Sequence, residues 1–562
     1  MPVPRTYDAI LTLVLFLLSN LAVIFPFRIP VPRIFVSFLR DCLVYLYVLP
    51  VKSKPPRRVY VHADYITVPL FSVLLLLATR SMDGSTIRRG VLGADGVEPL
   101  SILALFLSLA YISISLDFTG LFRFSAFWVA RRGGTSGPRL YLYLYLFFLV
   151  SGIIVGNDPV ILCGTPFLAY LTRVSGITPP TAWIFSQFAA ANMASVVLVS
   201  SNPTNLVLTG AFSISFVSYS AHVILPFLAA ATFVFPVLLF GLFRSPQLIP
   251  SSLNLDLSGD ENESALVDKK GAVFGSVLML ATLALLAGTS TIHVPVWQIT
   301  VPAGLAMMFR DIYHDWSYSR TLRSQRAETP GTYELQEIPT SKGKGDSELR
   351  EIPASSSPSS PDLRESARFD LASFVHKCSL RLSAQFPTVS AVFPRLPIPV
   401  LPFAFLMFIL IQGLSTKGWI ELFSTWWAAW VKQTGPLGAV GGMAFISCLL
   451  CNFCGTNIGA TILLARIIQL WESQSDNMVD PRTRDGAIYA LAIGSNFGAF
   501  TITISASLAG LLWRGILRQK GIRIRPKQFL LLNLPISFVA MLVSCGVLAG
   551  EMFVIHRNDR KE

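Results

Sequence analysis

The chain has 562 residues, of which 52% are hydrophobic and only 14% charged, with a mean hydropathy of +0.58. A soluble domain carries roughly 25% charged residues, so a water-soluble globular protein is excluded, and the reading is an all-α polytopic membrane protein. The net charge of +13 gathers in short loops such as Lys52, Lys54, Arg57, Arg58 and Arg131, Arg132, as in loops retained in the cytoplasm, and no basic-aromatic face suits a nucleic acid.

In chain order, Ala9–Phe27 is the first expected span and a retained helix, not a removed signal peptide. Ile34–Val51 is a weaker span because Arg40 and Asp41 interrupt it, and Tyr65–Thr79 is a third. Pro99–Leu116 ends at Asp117, and Arg123–Arg132 is amphipathic and too short to cross, so an interfacial arm is expected. In Leu140–Val155 the tyrosines Tyr141, Tyr143 and Tyr145 are expected to form an interfacial belt. Asn157–Thr172 has the length of a re-entrant unit. Pro180–Val199, Val217–Phe243, Val273–Leu286 and Val294–Met308 complete the first half.

From Asp311 to about Leu396 the sequence turns rich in Ser, Pro and charge, the composition of a disordered linker. Within it Glu334–Pro339 and Glu348–Pro353 repeat a hexapeptide near Ser357-Pro358, which is either a low-complexity duplication or a docking motif for a regulatory partner. The second half offers Val400–Leu414, Gly418–Val431 and Gly438–Leu450, a second re-entrant unit Cys451–Leu470, then Gly486–Ser495, Thr501–Leu517 and Phe529–Ala549. The divisions are 1–96 (N-terminal spans), 97–310 (first repeat with trailing spans), 311–397 (linker), 398–551 (second repeat) and 552–562 (basic tail). Lys269 and Lys270 put the loop 244–270 on the cytoplasmic side with the linker, so the sequon at Asn262 is expected to go unused.

Four polar interruptions carry the functional reading. Ser201-Asn202-Pro203-Thr204-Asn205 breaks one apolar run, and Gly494-Ser495-Asn496-Phe497-Gly498 another. Each is preceded, about 40 residues earlier, by a second interruption: Gly156-Asn157-Asp158-Pro159 and Cys454-Gly455-Thr456-Asn457. Pro203 removes a backbone donor and disfavours helix at Asn202. Freed backbone groups at membrane depth survive only where protein or a water-filled cavity satisfies them. Paired interruptions in two halves point to a secondary transporter with inverted repeats.

Asp158 is the leading ionisable candidate, because a carboxylate at membrane depth costs roughly 2.5–3.5 kcal/mol even on insertion scales. It is read as a proton-coupling group; the plainer alternative is an N-cap for the helix opening at Pro159. Asp117 is a second proton-coupling candidate, with capping or snorkelling as its alternative. Asn157, Ser201, Asn202, Thr204, Asn205, Thr456, Asn457, Ser495 and Asn496 are the expected binding residues for solute or ion; ordinary interhelical hydrogen bonding is the competing reading. Arg173 is read as an edge anchor and Arg466 as a deeper cation able to meet an acid or an anion. Cys448, Cys451 and Cys454 share a helix face and read first as packing groups, second as soft-ion ligands. His222 and His293 are isolated, so no metal site is assigned. No cofactor is expected beyond a coupling proton or sodium ion. The sequence has no phosphate loop and no nucleophile with a base, which argues against ATP hydrolysis and against an enzyme.

Ser115 to Phe122, Gly156-Asn157-Asp158-Pro159 with Thr165-Pro166, and Ser201 to Asn205 together resemble the arsenite-efflux and citrate-transporter-like branch of the ion transporter superfamily. So do Gly455-Thr456-Asn457 with Ala460-Thr461, and Gly494-Ser495-Asn496 with Ser505 to Ala509. The resemblance implies two inverted-topology repeats, each with a re-entrant hairpin and a broken helix, and about 10–12 spans. It implies a small anionic or oxyanion solute, such as arsenite, antimonite, citrate or another carboxylate, bound between hairpin tips and breaks. Coupling is to protons or sodium; tips reading Asn157-Asp158 and Thr456-Asn457 in place of the Ser-Asn-Thr of dicarboxylate carriers favour protons or antiport. A homodimer is common among such relatives. A sodium/proton antiporter stays open as an alternative, and so, in another class, does a channel or a receptor with a signalling linker. The expected location is the plasma or a vacuolar membrane.

Overall fold

The computed structural model describes residues 4, 6–46, 59–93, 98–253, 266–289, 294–328, 371–454, 456–474 and 479–557. The sequon at Asn262, the hexapeptides, Ser357, His293 and Gly455 lie outside them.

The described chain is helical apart from a two-stranded sheet, β1 (Phe27–Pro30) with β2 (Tyr60–Ala63). The helices are α1 (Tyr7–Ile24), α2 (Arg33–Tyr45), α3 (Thr67–Ala78), α4 (Gly84–Leu92), α5 (Pro99–Phe118) and α6 (Leu121–Gly133). Next come α7 (Gly137–Val155), α8 (Asn157–Val174), α9 (Thr181–Ala194), α10 (Pro203–Phe212) and α11 (Phe216–Pro236), the last running on into a π turn. Then follow α12 (Lys269–Thr289), α13 (Val296–Glu328), α14 (Leu371–Gln385) and α15 (Pro387–Val392). The C-terminal part holds α16 (Val400–Thr416), α17 (Trp419–Phe453), α18 (Asn457–Gln474), α19 (Pro481–Gly498), α20 (Leu508–Gln519) and α21 (Pro526–Ile555). Among the described residues eight helices are long and apolar enough to cross a membrane, and the chain is an integral multi-pass membrane protein.

Packing divides the chain into a unit of residues 1–29, 61–311 and 391–562 and a second of residues 30–60 and 312–390. In the first, α9 is buried all round, with every residue from Ala182 to Ala194 shielded, as expected of a helix without a polar face. Trp513 stacks on Phe188 at 4.4 Å and meets Phe185 and Phe529 edge-on. Small residues bring backbones together: a Cβ on Gly152 sits 2.8 Å from Ala194 Cβ, and one on Gly498 sits 2.9 Å from Cys448 Cα. Gly494, packed against Ser447, plays the same part.

The two membrane halves repeat one order of elements. Gly120 (φ 86°, ψ 3°) caps α6 and Gly418 (φ 81°, ψ 8°) caps α17. Gly134 (φ 65°, ψ −154°) separates α6 from α7, and Gly435 (φ 64°, ψ −159°) bends α17 at the matching place. These left-handed conformations favour glycine because a Cβ clashes there. A hairpin follows in each half, then a broken helix.

Four expectations are corrected. The described residues of the expected span Ile34–Val51 form α2, thirteen residues with none buried, and a helix of that length reaches about 20 Å, short of a bilayer core. Tyr141 and Tyr145 do not form a surface belt: each is 2% exposed, and Tyr145 Oη donates to Ala231 O at 2.9 Å. In a helix, spacing four shares a face, so only Tyr143 points outward. The hairpins are longer than expected, with arms α7 and α8 in one half and Pro436–Phe453 and α18 in the other. The stretch 311–397 is not without structure: α13 runs to Glu328, and α14 and α15 follow within 371–392. In the second unit the Asp315 carboxylate accepts from the Thr388 and Val389 amides at 2.8 and 3.3 Å, placing negative charge at the N-terminus of α15.

Candidate functional site

The first break is built by Asn202 and Pro203. After α9 the chain turns, makes one 3₁₀ turn at Val199–Ser201, and extends at Asn202 (φ −150°, ψ 137°). Pro203 opens α10, where its missing N–H costs nothing. Asn202 Oδ1 accepts from the Thr204 amide at 3.2 Å and caps the helix. The second break copies this form but sits later than expected. Helix α19 passes straight through Ser495 and Asn496; the 3₁₀ turn is Ile504–Ala506, and Ser507 (φ −143°, ψ 155°) is the extended cap, accepting from Gly510 N at 3.0 Å. Gly494 and Gly498 serve close packing rather than a bend.

Asn496 joins the halves. Its Oδ1 accepts from Asn202 Nδ2 at 2.9 Å and from Ser195 Oγ at 3.0 Å, while its Nδ2 donates to Asn205 Oδ1 at 2.8 Å. Asn205 Nδ2 in turn donates to the carbonyls of Ser195 and Leu198 at 2.7 and 2.9 Å, groups freed by the end of α9. Thr204 Oγ1 leans on Asn205 Oδ1 at 3.4 Å. Asn202, Asn205 and Asn496 are buried, so this uncharged network has no water to fall back on.

The hairpin tip of the first half borders it. Asn157 Nδ2 donates to Asn192 Oδ1 at 3.4 Å. Asn157, Asp158, Ser200 and Ser201 line a cavity of about 410 Å³. Asp158 is half-buried on the first turn of α8, and among the described residues its carboxylate makes no hydrogen bond or ion pair. Gly156 turns the tip with φ 90°, and a Cβ there stands 2.8 Å from Ser201 O. Gly156→Ala is therefore expected to strain the tip by about 1–3 kcal/mol and to lower the thermal midpoint of the purified protein, whereas Gly134→Ala, with open space around it, bears only the backbone strain.

Other expected residues are placed differently. Ser495 Oγ donates to Ala492 O of its own helix at 3.1 Å. Thr456 and Asn457 are buried at the N-terminus of α18, where Thr456, just before the helix, accepts through Oγ1 from Gly459 N at 3.5 Å and Asn457 O accepts from Thr461 Oγ1 at 2.8 Å. Among the described residues no hydrogen bond joins them to the first half. Asp117 lies on the last turn of α5; it does not itself line the Asp158 cavity but stands 3.9 Å from Arg395, which does. Arg466 donates to Gln469, one turn on, at 3.3 Å. His222 stacks on Tyr489 with centroids 4.4 Å apart. Cys451 is fully buried with Sγ 3.5 Å from Ser495 O.

Residues that the sequence reading passed over are Asn192, Ser195, Asn452 and Thr503. Asn452 Nδ2 donates to Thr501 Oγ1 at 2.7 Å, and its Oδ1 accepts from the Thr503 amide at 2.9 Å, holding the second break. The signal for Asn192 was present: Ala191-Asn192-Met193-Ala194 stands before the first break as Ser495-Asn496-Phe497-Gly498 stands before the second.

A family model described as Citrate transporter matches residues 61–494. An Escherichia coli protein described as an arsenical pump membrane protein is 30% identical over 210 residues, which are 37% of this chain and 47% of that one. A second Escherichia coli protein of the same description is 31% identical over 156 residues, 27% of this chain and 36% of its own length. The matches thus span less than half the length of these relatives. Among solved structures, the Alcanivorax borkumensis YdaH transporter superposes with a TM-score of 0.48 at 14% identity, covering 97% of this chain and 98% of that one.

Proposed function

The chain belongs to the citrate transporter family, and on that premise we propose that it is a secondary active carrier of a small anion or oxyanion, arsenite or a carboxylate among them, coupled to protons. The observation that carries this reading is the bonding of the first helix break to Asn496 of the second half, beside a cavity that holds Asp158, a carboxylate without a partner among the described residues. Discontinuous helices that meet at mid-membrane are where carriers of this architecture place solute and ion. On the cavity wall Asn157, Ser200 and Ser201 offer an oxygen-rich solute neutral hydrogen-bonding groups, the buried Asn202–Asn205–Asn496 network holds the breaks behind them, and Asp158 supplies an exchangeable charge at the hairpin tip. The matched glycines and matched breaks support two structural repeats. The relatives described as arsenical pump membrane proteins support an oxyanion among the solutes.

The test uses the full chain in liposomes with an imposed proton gradient and a panel of arsenite, citrate, sulfate and sodium. The expected result is saturable movement of at least one solute that stops when a protonophore collapses the gradient. Solute movement that neither saturates nor responds to the gradient would overturn the reading in favour of a channel.

A further inference from the structure

We infer that Arg395 is the anion-selecting residue of this protein, standing where a basic cavity of about 650 Å³ meets the cavity that holds Asp158. The inference rests on the carrier reading above. Arg395 closes the 3₁₀ turn Phe393–Arg395, and Pro394, Pro397 and Pro399 stiffen the chain around it. Its guanidinium stands 4.3 Å from the ring centre of Phe118, and Nη1 is 3.9 Å from Asp117 Oδ2. That distance is too long for a hydrogen bond, so the acid holds the guanidinium in place without occupying its five donors. The side chain is 49% exposed, open to a solute.

The larger cavity also receives Arg123, held over Phe127 at 5.6 Å, and Lys520, against the single carboxylate of Asp117. Its charged lining is three cations and one anion, and walls of one dominant sign concentrate the opposite sign within them. Arg395 and Leu162 line both cavities. An anion entering the larger one therefore meets a planar fork that matches carboxylate and oxyanion geometry. It takes the donors Asp117 leaves free and is delivered next to Asn157 and Asp158. Asp117 acts here as a positioning residue.

The test has two readouts on the full-length protein. Cys163 lines the larger cavity and reports its charge preference. Methanethiosulfonate reagents bearing a sulfonate or a quaternary ammonium are compared by the rate at which each modifies the Cys163 peptide, read by mass spectrometry. The wild type is expected to favour the anionic reagent. Arg395→Gln is expected to cut the anionic-to-cationic rate ratio about tenfold, as loss of one nearby charge in a partly shielded site does, and Arg395→Lys to keep it. In liposomes, Arg395→Gln is expected to raise the half-saturating citrate concentration about tenfold and to leave the handling of arsenous acid, uncharged at neutral pH, as it was. A ratio unchanged in Arg395→Gln overturns the inference, and so does a wild-type Cys163 that accepts neither reagent. If instead the wild type carries no solute while the ratio still falls, the carrier reading fails and the anion-selecting role stands.

Discussion

Asp158→Asn is expected to reduce gradient-driven solute movement to the level of empty liposomes while the protein still inserts and keeps its thermal midpoint. Amide and carboxylate have nearly the same shape, and Asp158 makes no hydrogen bond or ion pair among the described residues, so no protein partner is stranded by the change. What is lost is a charge on the first turn of α8, where the helix dipole favours an anion by roughly 0.3–1 kcal/mol when exposed. That is too little to unfold the protein. An amide also cannot take up and release a proton in the physiological range, so coupling goes while the cavity stays. Undiminished proton-driven transport by the variant removes Asp158 from the mechanism and leaves it as a first-turn charge facing the helix dipole, since it caps no amide of α8.

The sequence disclosed most plainly what backbone chemistry enforces locally. Asn202-Pro203 could not continue a helix, and the break stands there. Gly494 and Gly498 could bend a helix or pack it, and α19 runs through Gly494 to end at Gly498, because glycine at a crowded crossing lets Ser447 and Cys448 approach. Whether a glycine bends or packs depends on a neighbour distant in sequence. Tyr141, Tyr143 and Tyr145 show the same limit: their spacing suggests a belt, but helical geometry turns two of them into the core. Arg395 was hidden by its setting. It ends a Ser- and Pro-rich stretch whose average composition speaks for disorder, and only the fold brings it to Asp117, far away in sequence. The polar groups of the site were recognisable because polarity at membrane depth is costly. Their partners were not, since pairing is a property of the packed halves.

Asn496→Ala is expected to be the most damaging single truncation in the site. The variant leaves Asn202 Nδ2, Asn205 Oδ1 and Ser195 Oγ without the bonds that cross between the halves. A buried polar group stripped of its partner costs about 1–3 kcal/mol, so even partial relaxation leaves a loss of several kcal/mol. Ser195 Oγ can recover part of this through Asn192 O, at 2.8 Å, and Thr204 Oγ1 already sits beside Asn205 Oδ1. Asn202 has no such substitute among its hydrogen bonds, so its cap on α10 is expected to loosen and transport to fall with stability. Ser495→Ala is the control one residue away: among the described residues its hydroxyl bonds only within its own helix, and the cost is expected to stay within about 1 kcal/mol. Thermal unfolding in detergent ranks the two, and proteoliposome transport follows the same order. Equal midpoints for both variants would mean that each break is held by its own half, and a carrier whose halves ignore each other at the centre has no means of alternating around a shared solute.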